Sequence, residues 1–351
     1  MSTIDDWRRV KELFLQALER EPPEREALLA DVSDRVLAAE VSSLLEAHEE
    51  AGEFIERPRV VGQSGLLEAI TGTWAVGRRI GPFKVLRQLG RGTLGSVFQA
   101  RDVERGEDVA LELLAPEVQA FVGDAAVAAL VARIGELDHS ALARLREAGR
   151  TPEGLPYLVA EYVRGTQLPR YVESQGLGRG ERLRLFEQLL AAVAFAHRQG
   201  IAHGDIKPRN VLVTAEGSLK LIDLGLSALL AGAVGEALAG TPRQPAVTTP
   251  YSSPEQVRGE GPTVASDLWA LGALLFELLT GAPPHGAVAQ NPDRLKHAIL
   301  GEDVPAPTEA GAGDLPTALD ELVLRLLARD PQRRPRDVEE VQAALAALAR
   351  D

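Results

Sequence analysis

The run His203-Gly204-Asp205-Ile206-Lys207-Pro208-Arg209-Asn210, followed by the apolar Val211-Leu212-Val213, restricts this chain more than any other stretch in it. Asp205 is suited to accept a hydroxyl proton, Lys207 to neutralise a phosphoryl oxygen and Asn210 to hold a divalent metal, which together form the inventory of a loop for phosphoryl transfer. An isolated Asp-x-Lys arises by chance in many chains. The longer string running into a strand-like apolar segment is far rarer.

Length and charge narrow the classes around that loop. With 351 residues, 45% apolar and 25% charged, the chain has room for two or three domains and a substantial core. A formal net charge of -13 argues against nucleic acid as a partner, since that affinity rests on a basic face. There is no cysteine, so disulfides, thiolate nucleophiles and Cys-ligated zinc are excluded. The six histidines contain no H-x-x-x-H pair. The first residues lack a secretory pattern, and no apolar run reaches the roughly 18 residues of a spanning helix, so the expectation is a cytoplasmic protein without a membrane span.

Along the chain, residues 1–50 read as a small helical module, with Val10, Phe14, Leu18, Leu28, Val36, Val41 and Leu45 at helical steps and Ser33-Asp34 as a cap. Residues 51–79 read as a linker with one helical turn at 65–70. Strand-like alternation begins at Phe83, and Gly90, Gly92 and Gly95, followed by Val97, form a glycine-rich turn whose amides can approach phosphates closely. A strand over 109–114, a helix over 122–137 and a strand over 157–163 follow. Gly165 reads as the hinge to a helical region, with helices over 181–199, 266–280, 315–328 and 338–350. The fold class is therefore α+β and bilobal: a small sheet-rich lobe (80–163) and a large helical lobe (164–350) after the helical leader.

Taken in order, the segments from Ile80 to Ala349 resemble a bacterial Ser/Thr protein kinase domain. Besides the glycine loop and the 203–210 loop, Asp223-Leu224-Gly225 is similar to the metal-binding D-F-G. Ser253-Pro254-Glu255 resembles the A-P-E that closes the activation segment, and Asp267, Trp269 and Arg334 match the large-lobe anchors. The leader resembles helical segments found before some bacterial kinase domains. The resemblance implies ATP and Mg2+ as cofactors and a protein substrate or partner. Asp205 and Lys207 would be the catalytic residues, and Asn210 and Asp223 the metal ligands. Gly90, Gly92, Gly95, Val97, Ala110, Glu112, Glu161, Val163 and Leu212 would form the nucleotide cleft. It also places Thr248 against the catalytic loop and Ala160 as a small gatekeeper that opens an apolar pocket behind adenine.

The departures from the family matter as much as the matches. Glu112 stands where the phosphate-pairing lysine should be, on the same strand face as Ala110 and so facing the cleft. A unit charge roughly 4 Å away at an effective dielectric near 20 is worth about 4 kcal/mol, approaching a thousandfold in rate before repulsion is counted. The lysine's helix partner falls at Leu130, so both members of that pair are missing. Arg133, one turn on, is expected to pair with Glu112 in reversed polarity, whereas Lys84 or Arg91 would replace the lost cation only in an unusual geometry. Gly204 replaces an arginine that reads a phosphorylated activation segment. These substitutions point to a pseudokinase, a signalling regulator or scaffold with weak ATP and Mg2+ binding. An active or weakly active Ser/Thr kinase and a nucleotide-free protein-binding module are the alternatives.

Overall fold

A computed structural model describes residues 13, 28–29, 32, 34, 37–38, 41, 75–91, 95–114, 124–152, 154–225 and 248–348. In the N-terminal module the expected cap is present: Asp34 Oδ1 accepts the Leu37 N–H at 3.2 Å. Leu13, Leu37, Ala38 and Val41 are buried there. The remainder of that module, the turn at 65–70 and residue Gly92 lie outside the described residues, as do the side chains of Arg91 and Leu130.

The small lobe is a six-stranded sheet, β1 (Arg79–Ile80), β2 (Phe83–Arg91), β3 (Gly95–Asp102), β4 (Glu107–Leu114), β5 (Leu145–Arg150) and β6 (Pro156–Glu161), in the order β1-β2-β3-β4-β6-β5. β2 to β3, β3 to β4 and β4 to β6 pair antiparallel. The tight turn after β3 is held by Asp102, whose Oδ1 accepts the N–H groups of Glu104 and Arg105, both at 3.0 Å. Period-two alternation sends Val109, Leu111 and Leu113 of β4 into one apolar cluster with Phe83, Phe98, Tyr157 and Val159. Ala110 and Glu112 consequently face the other way. Helix α1 (Asp124–Gly135) follows β4 and ends two residues before its apolar pattern suggests.

The large lobe is built on α3 (Arg179–Arg198) and α5 (Val264–Thr280). α5 is apolar nearly all round, the pattern of a helix enclosed on every side, and every residue from Ser266 to Phe276 is buried. Its start is fixed by a reciprocal cap, in which Ser266 N–H donates to Thr263 Oγ1 at 3.1 Å and Thr263 N–H to Ser266 Oγ at 2.8 Å. Gly281, at φ 87°, ends it. Around this axis lie α2 (Leu168–Ser174), α4 (Pro254–Val257), α6 (Pro292–Gly301), α7 (Thr317–Leu326) and α8 (Val338–Leu348). Buried residues of α3, α5, α7 and α8 share one core cluster.

The bilobal α+β arrangement expected from the sequence is thus observed, with local differences. The helices expected at 181–199, 266–280 and 315–328 are α3, α5 and α7 with ends shifted by a few residues, and the helix expected at 338–350 is α8, which starts at Val338 as expected. The strand expected over 157–163 stops at Glu161, which leaves Tyr162 and Val163 outside the ladder. A second sheet, β7 (Gly165–Gln167), β8 (Val211–Thr214) and β9 (Leu219–Leu221), was not expected. It explains Gly165: a Cβ there would lie 2.9 Å from the Val213 carbonyl oxygen, so close strand approach demands glycine.

Candidate functional site

The 203–210 loop hangs from α5 through one buried carboxylate. Asp267, 1% exposed, accepts the His203 N–H at 2.7 Å and the Gly204 N–H at 2.8 Å, one on each oxygen. His197 Nε2 donates to the same carboxylate at 2.8 Å. The loop then turns on itself: His203 Nε2 donates to the Ile222 carbonyl at 2.9 Å, and His203 Nδ1 accepts the Asp205 N–H at 3.2 Å. Histidine here is a buried brace, joining the loop to the segment that carries Asp223. Gly204 has φ 78°, a left-handed backbone that glycine adopts without strain, and its carbonyl accepts Gln256 Nε2 of α4 at 2.8 Å.

With the backbone held, the chemistry-bearing side chains converge. Lys207 Nζ lies 2.7 Å from Asp205 Oδ1. Asn210 Nδ2 donates to the Asp205 carbonyl at 2.8 Å and to Asp205 Oδ2 at 3.1 Å. The Asn210 amide oxygen is therefore directed away from Asp205, available to a cation. The Ile222 N–H donates to the Asn210 carbonyl at 2.9 Å, tying the end of the loop to the segment just before Asp223. Asp223 itself adopts φ 62°, uncommon for a residue with a Cβ and found where the surroundings over-determine the conformation. Burial raises its carboxyl above the ordinary value; the negative charge of Asp205 adds to that shift, and the nearby Arg209 and Lys207 cations oppose it. Excess negative charge beside an amide oxygen suits a divalent cation, so Asn210 and Asp223 fit a magnesium ion that keeps several waters. Among the described residues no cluster of three His, Cys, Asp or Glu side chains offers a rival metal site.

The large-lobe anchors also come together. Arg334, with its side chain 0% exposed, makes a two-pronged ion pair to Glu255 at 2.6 and 2.9 Å and lies 5.3 Å from the centre of the Trp269 ring. Burial alone would raise the Glu255 carboxyl, but the hydrogen bonds and charge of Arg334 outweigh it and hold the group below its ordinary value.

Above the loop, β2, β3, β4 and β6 enclose a cavity of about 380 Å³. Gly90, Val97, Ala110, Glu112, Glu161, Val163, Asn210, Leu212 and Asp223, all foreseen as site residues, line it. Val97 and Ala110 on one side and Leu212 on the other bound a slot suited to a flat ring, and past Ala160 the cavity reaches Ile134, Leu145 and Leu158. Gly95 borders the site through its amide, while Asp205 and Lys207 lie in the adjoining loop. The Glu161 side chain turns to Lys220, 2.8 Å away, so its charge is matched by a cation. Sequence reading overlooked Arg209, which lines the floor. Its signal was the basic residue immediately before Asn210.

Glu112 decides the upper wall. It stands between Val97 of β3 and Leu158 of β6 in the strand register and is 6% exposed. Its Oε1 accepts the N–H of Gly95, at the end of the glycine-rich turn, at 3.1 Å. The expected ion pair with Arg133 is not made: that guanidinium donates to the carbonyls of Gln199 and Gly200, at 3.3 and 2.9 Å. The exposed C-terminal carbonyls of α3 attract a cation that the strand does not reach. Lys84, expected to replace the lost cation only in an unusual geometry, is exposed on β2 and does not line the cavity. A further expectation differs. Thr248 Oγ1 is buried without a hydrogen-bond partner among the described residues, so it does not bond the 203–210 loop.

The sequence matches the family described as "Protein kinase domain" over residues 83–345. It is 32% identical over 270 residues to the probable serine/threonine-protein kinase PknB of Lactococcus lactis, covering 75% of this chain and 41% of that protein. It is 33% identical over 265 residues to the serine/threonine-protein kinase PknD of Mycobacterium tuberculosis, covering 74% and 38%. Against the serine/threonine-protein kinase PrkC of Bacillus subtilis it is 31% identical over 280 residues, covering 76% and 41%. The chain thus spans about two fifths of the length of these curated relatives. No helix among the described residues is long and apolar enough to cross a membrane.

Proposed function

Because this chain belongs to the protein kinase domain family, with curated bacterial Ser/Thr kinases among its relatives, we propose that it is a pseudokinase: a kinase-like protein that acts on a protein partner as a signalling regulator or scaffold and does not run routine phosphoryl transfer. The observation that carries this reading is Glu112, buried at the cavity with its carboxylate on the Gly95 amide. Catalysis of phosphoryl transfer is chiefly positioning plus neutralisation of the phosphates. A fixed negative charge at the place of the neutralising cation works against both. The triphosphate therefore does not fit the upper wall, although Asn210 and Asp223 would hold a magnesium ion at the floor. That ion would supply charge neutralisation, and the chain's own part is to orient it through the Asn210 bonds to Asp205.

A second reading, a weakly active Ser/Thr kinase, is favoured by one specific observation: Asp205, Lys207 and Asn210 form a connected set, with Lys207 Nζ 2.7 Å from the acid that would take the hydroxyl proton. The two readings separate in a transfer assay. The chain is incubated with γ-labelled ATP and Mg2+, alone and with a general protein substrate, beside Asp205→Ala. The expected result is label no greater than in the Asp205→Ala control. Robust labelling abolished by that substitution overturns the pseudokinase reading.

A further inference from the structure

We infer that the cleft is a receptor for an uncharged purine nucleoside and discriminates against its 5′-phosphorylated forms, because the Glu112 carboxylate occupies the loop amide that a phosphate oxygen would otherwise take. The inference rests on the pseudokinase reading of the same site and adds the ligand class. Backbone amides of a glycine-rich turn are anion sites by geometry. Here the Gly95 N–H already donates to Glu112 Oε1 at 3.1 Å. The anion is internal and covalently supplied by the chain.

Strand register sets where the carboxylate points. Strand alternation points Ala110 and Glu112 to the cavity while Leu111 and Leu113 fill the opposite core at 0% and 2% exposure. Val97 and Leu158 flank Glu112 on the neighbouring strands. A triphosphate would have to displace it from Gly95 and then face it across a partly desolvated wall, where charge repulsion is weakly screened.

The remainder of the cavity suits a neutral ring. The Glu161 carboxylate is matched by Lys220 at 2.8 Å. Arg87 is held by Gln99 at 2.9 Å and by the Tyr162 hydroxyl at 3.1 Å. Val97, Ala110 and Leu212 form the slot, and Leu145, Leu158 and Ala160 its inner end. A volume of about 380 Å³ falls in the range of small-molecule sites. Arg209 also lines the floor, so the test includes it.

The test is calorimetric titration of the full chain with adenosine, ATP and ATP plus Mg2+, on wild type, Glu112→Gln and Arg209→Gln. Glu112→Gln keeps an oxygen for the Gly95 N–H and removes the charge. The expected result is adenosine binding at least tenfold tighter than either form of ATP, with that ratio shrinking at least severalfold in Glu112→Gln. Tighter or equal binding of ATP to the wild type overturns the inference; if Arg209→Gln then abolishes the ATP binding, that arginine has assumed the missing lysine's role. Failure of adenosine to bind a chain with a cooperative melt overturns it too. Labelled-phosphate transfer in the same samples, beside Asp205→Ala, keeps the two conclusions apart: ATP preference without transfer sinks the ligand class alone, and transfer lost in Asp205→Ala sinks the pseudokinase reading.

Discussion

Replacing Arg334 by methionine removes one partner of a buried ion pair while roughly keeping side-chain length, and the structure sets how much stability should go with it. The two side chains are 0% and 5% exposed, so the Glu255 carboxylate left behind has little water to turn to. Arg334 also donates to the carbonyls of Ala328 and Ala265 at 2.8 and 2.7 Å, which would lose those bonds. Breaking one side of such a pair typically costs about 3–5 kcal/mol, well above the ~1 kcal/mol ceiling of a surface pair. At about 2–4 °C per kcal/mol for a domain of this size, the melting temperature should fall by roughly 6–20 °C. Glu255→Leu combined with Arg334→Met should recover part of that loss, because no unpaired charge then remains. The pH dependence has a fixed sign. Since the folded Glu255 carboxyl is held low, its pairing stabilises fully above the ordinary carboxylate value and is lost as pH falls through the lowered one. The gap between wild type and Arg334→Met should therefore narrow toward acid. Chemical denaturation of wild type, Arg334→Met and the double variant across pH measures all of this; a cost below about 1 kcal/mol for Arg334→Met near neutral pH would refute the argument.

Two other perturbations follow from packing and titration. Gly272 of α5 meets α7 so closely that a Cβ would lie 2.6 Å from Leu326 Cβ and 3.3 Å from the Leu326 carbonyl carbon. Gly272→Ala should thus destabilise by about 1–2 kcal/mol in urea unfolding, despite the better helix propensity of alanine. At the end of the activation segment, Tyr251 Oη–H donates to Glu277 at 2.7 Å, and burial raises the Glu277 carboxyl although that hydrogen bond opposes the shift. A folded value raised above the unfolded one means the native state holds the extra proton, so stability declines as pH climbs from the ordinary carboxylate value through the raised one. Glu277→Gln should lose that slope in a pH series of thermal melts, and an unchanged slope would count against the assignment.

Much of the site was legible because its residues are close in sequence. Asp205, Lys207 and Asn210 lie on one short loop, and their mutual bonds need only local turns. Strand periodicity was likewise enough to aim Glu112 at the cleft. The second sheet escaped because β7 and β9 have three residues each, too few for any period to show. Helix α6 escaped because only Leu295, Ala298 and Ile299 are buried, although Asn291 and Pro292 mark its start. Arg133 misled for a different reason. Helical spacing placed it one turn beyond Leu130, but which acceptor it reaches depends on where α3 ends in space, and Gln199 and Gly200 are more than sixty residues away.

The amino-acid sequence by itself determined the family, the bilobal order of elements and the inverted charge at Glu112, since each is carried by residue identity or by a local period. Only the tertiary structure decided what that charge does. The antiparallel register of β3 on β4 brings Gly95, seventeen residues away, onto the Glu112 carboxylate. It likewise took the fold to join Asp267 to His203 and Gly204, and Arg334 to Glu255. Such partners are chosen by strand register and helix packing, which sum many weak contacts from the whole chain, so no single stretch contains them.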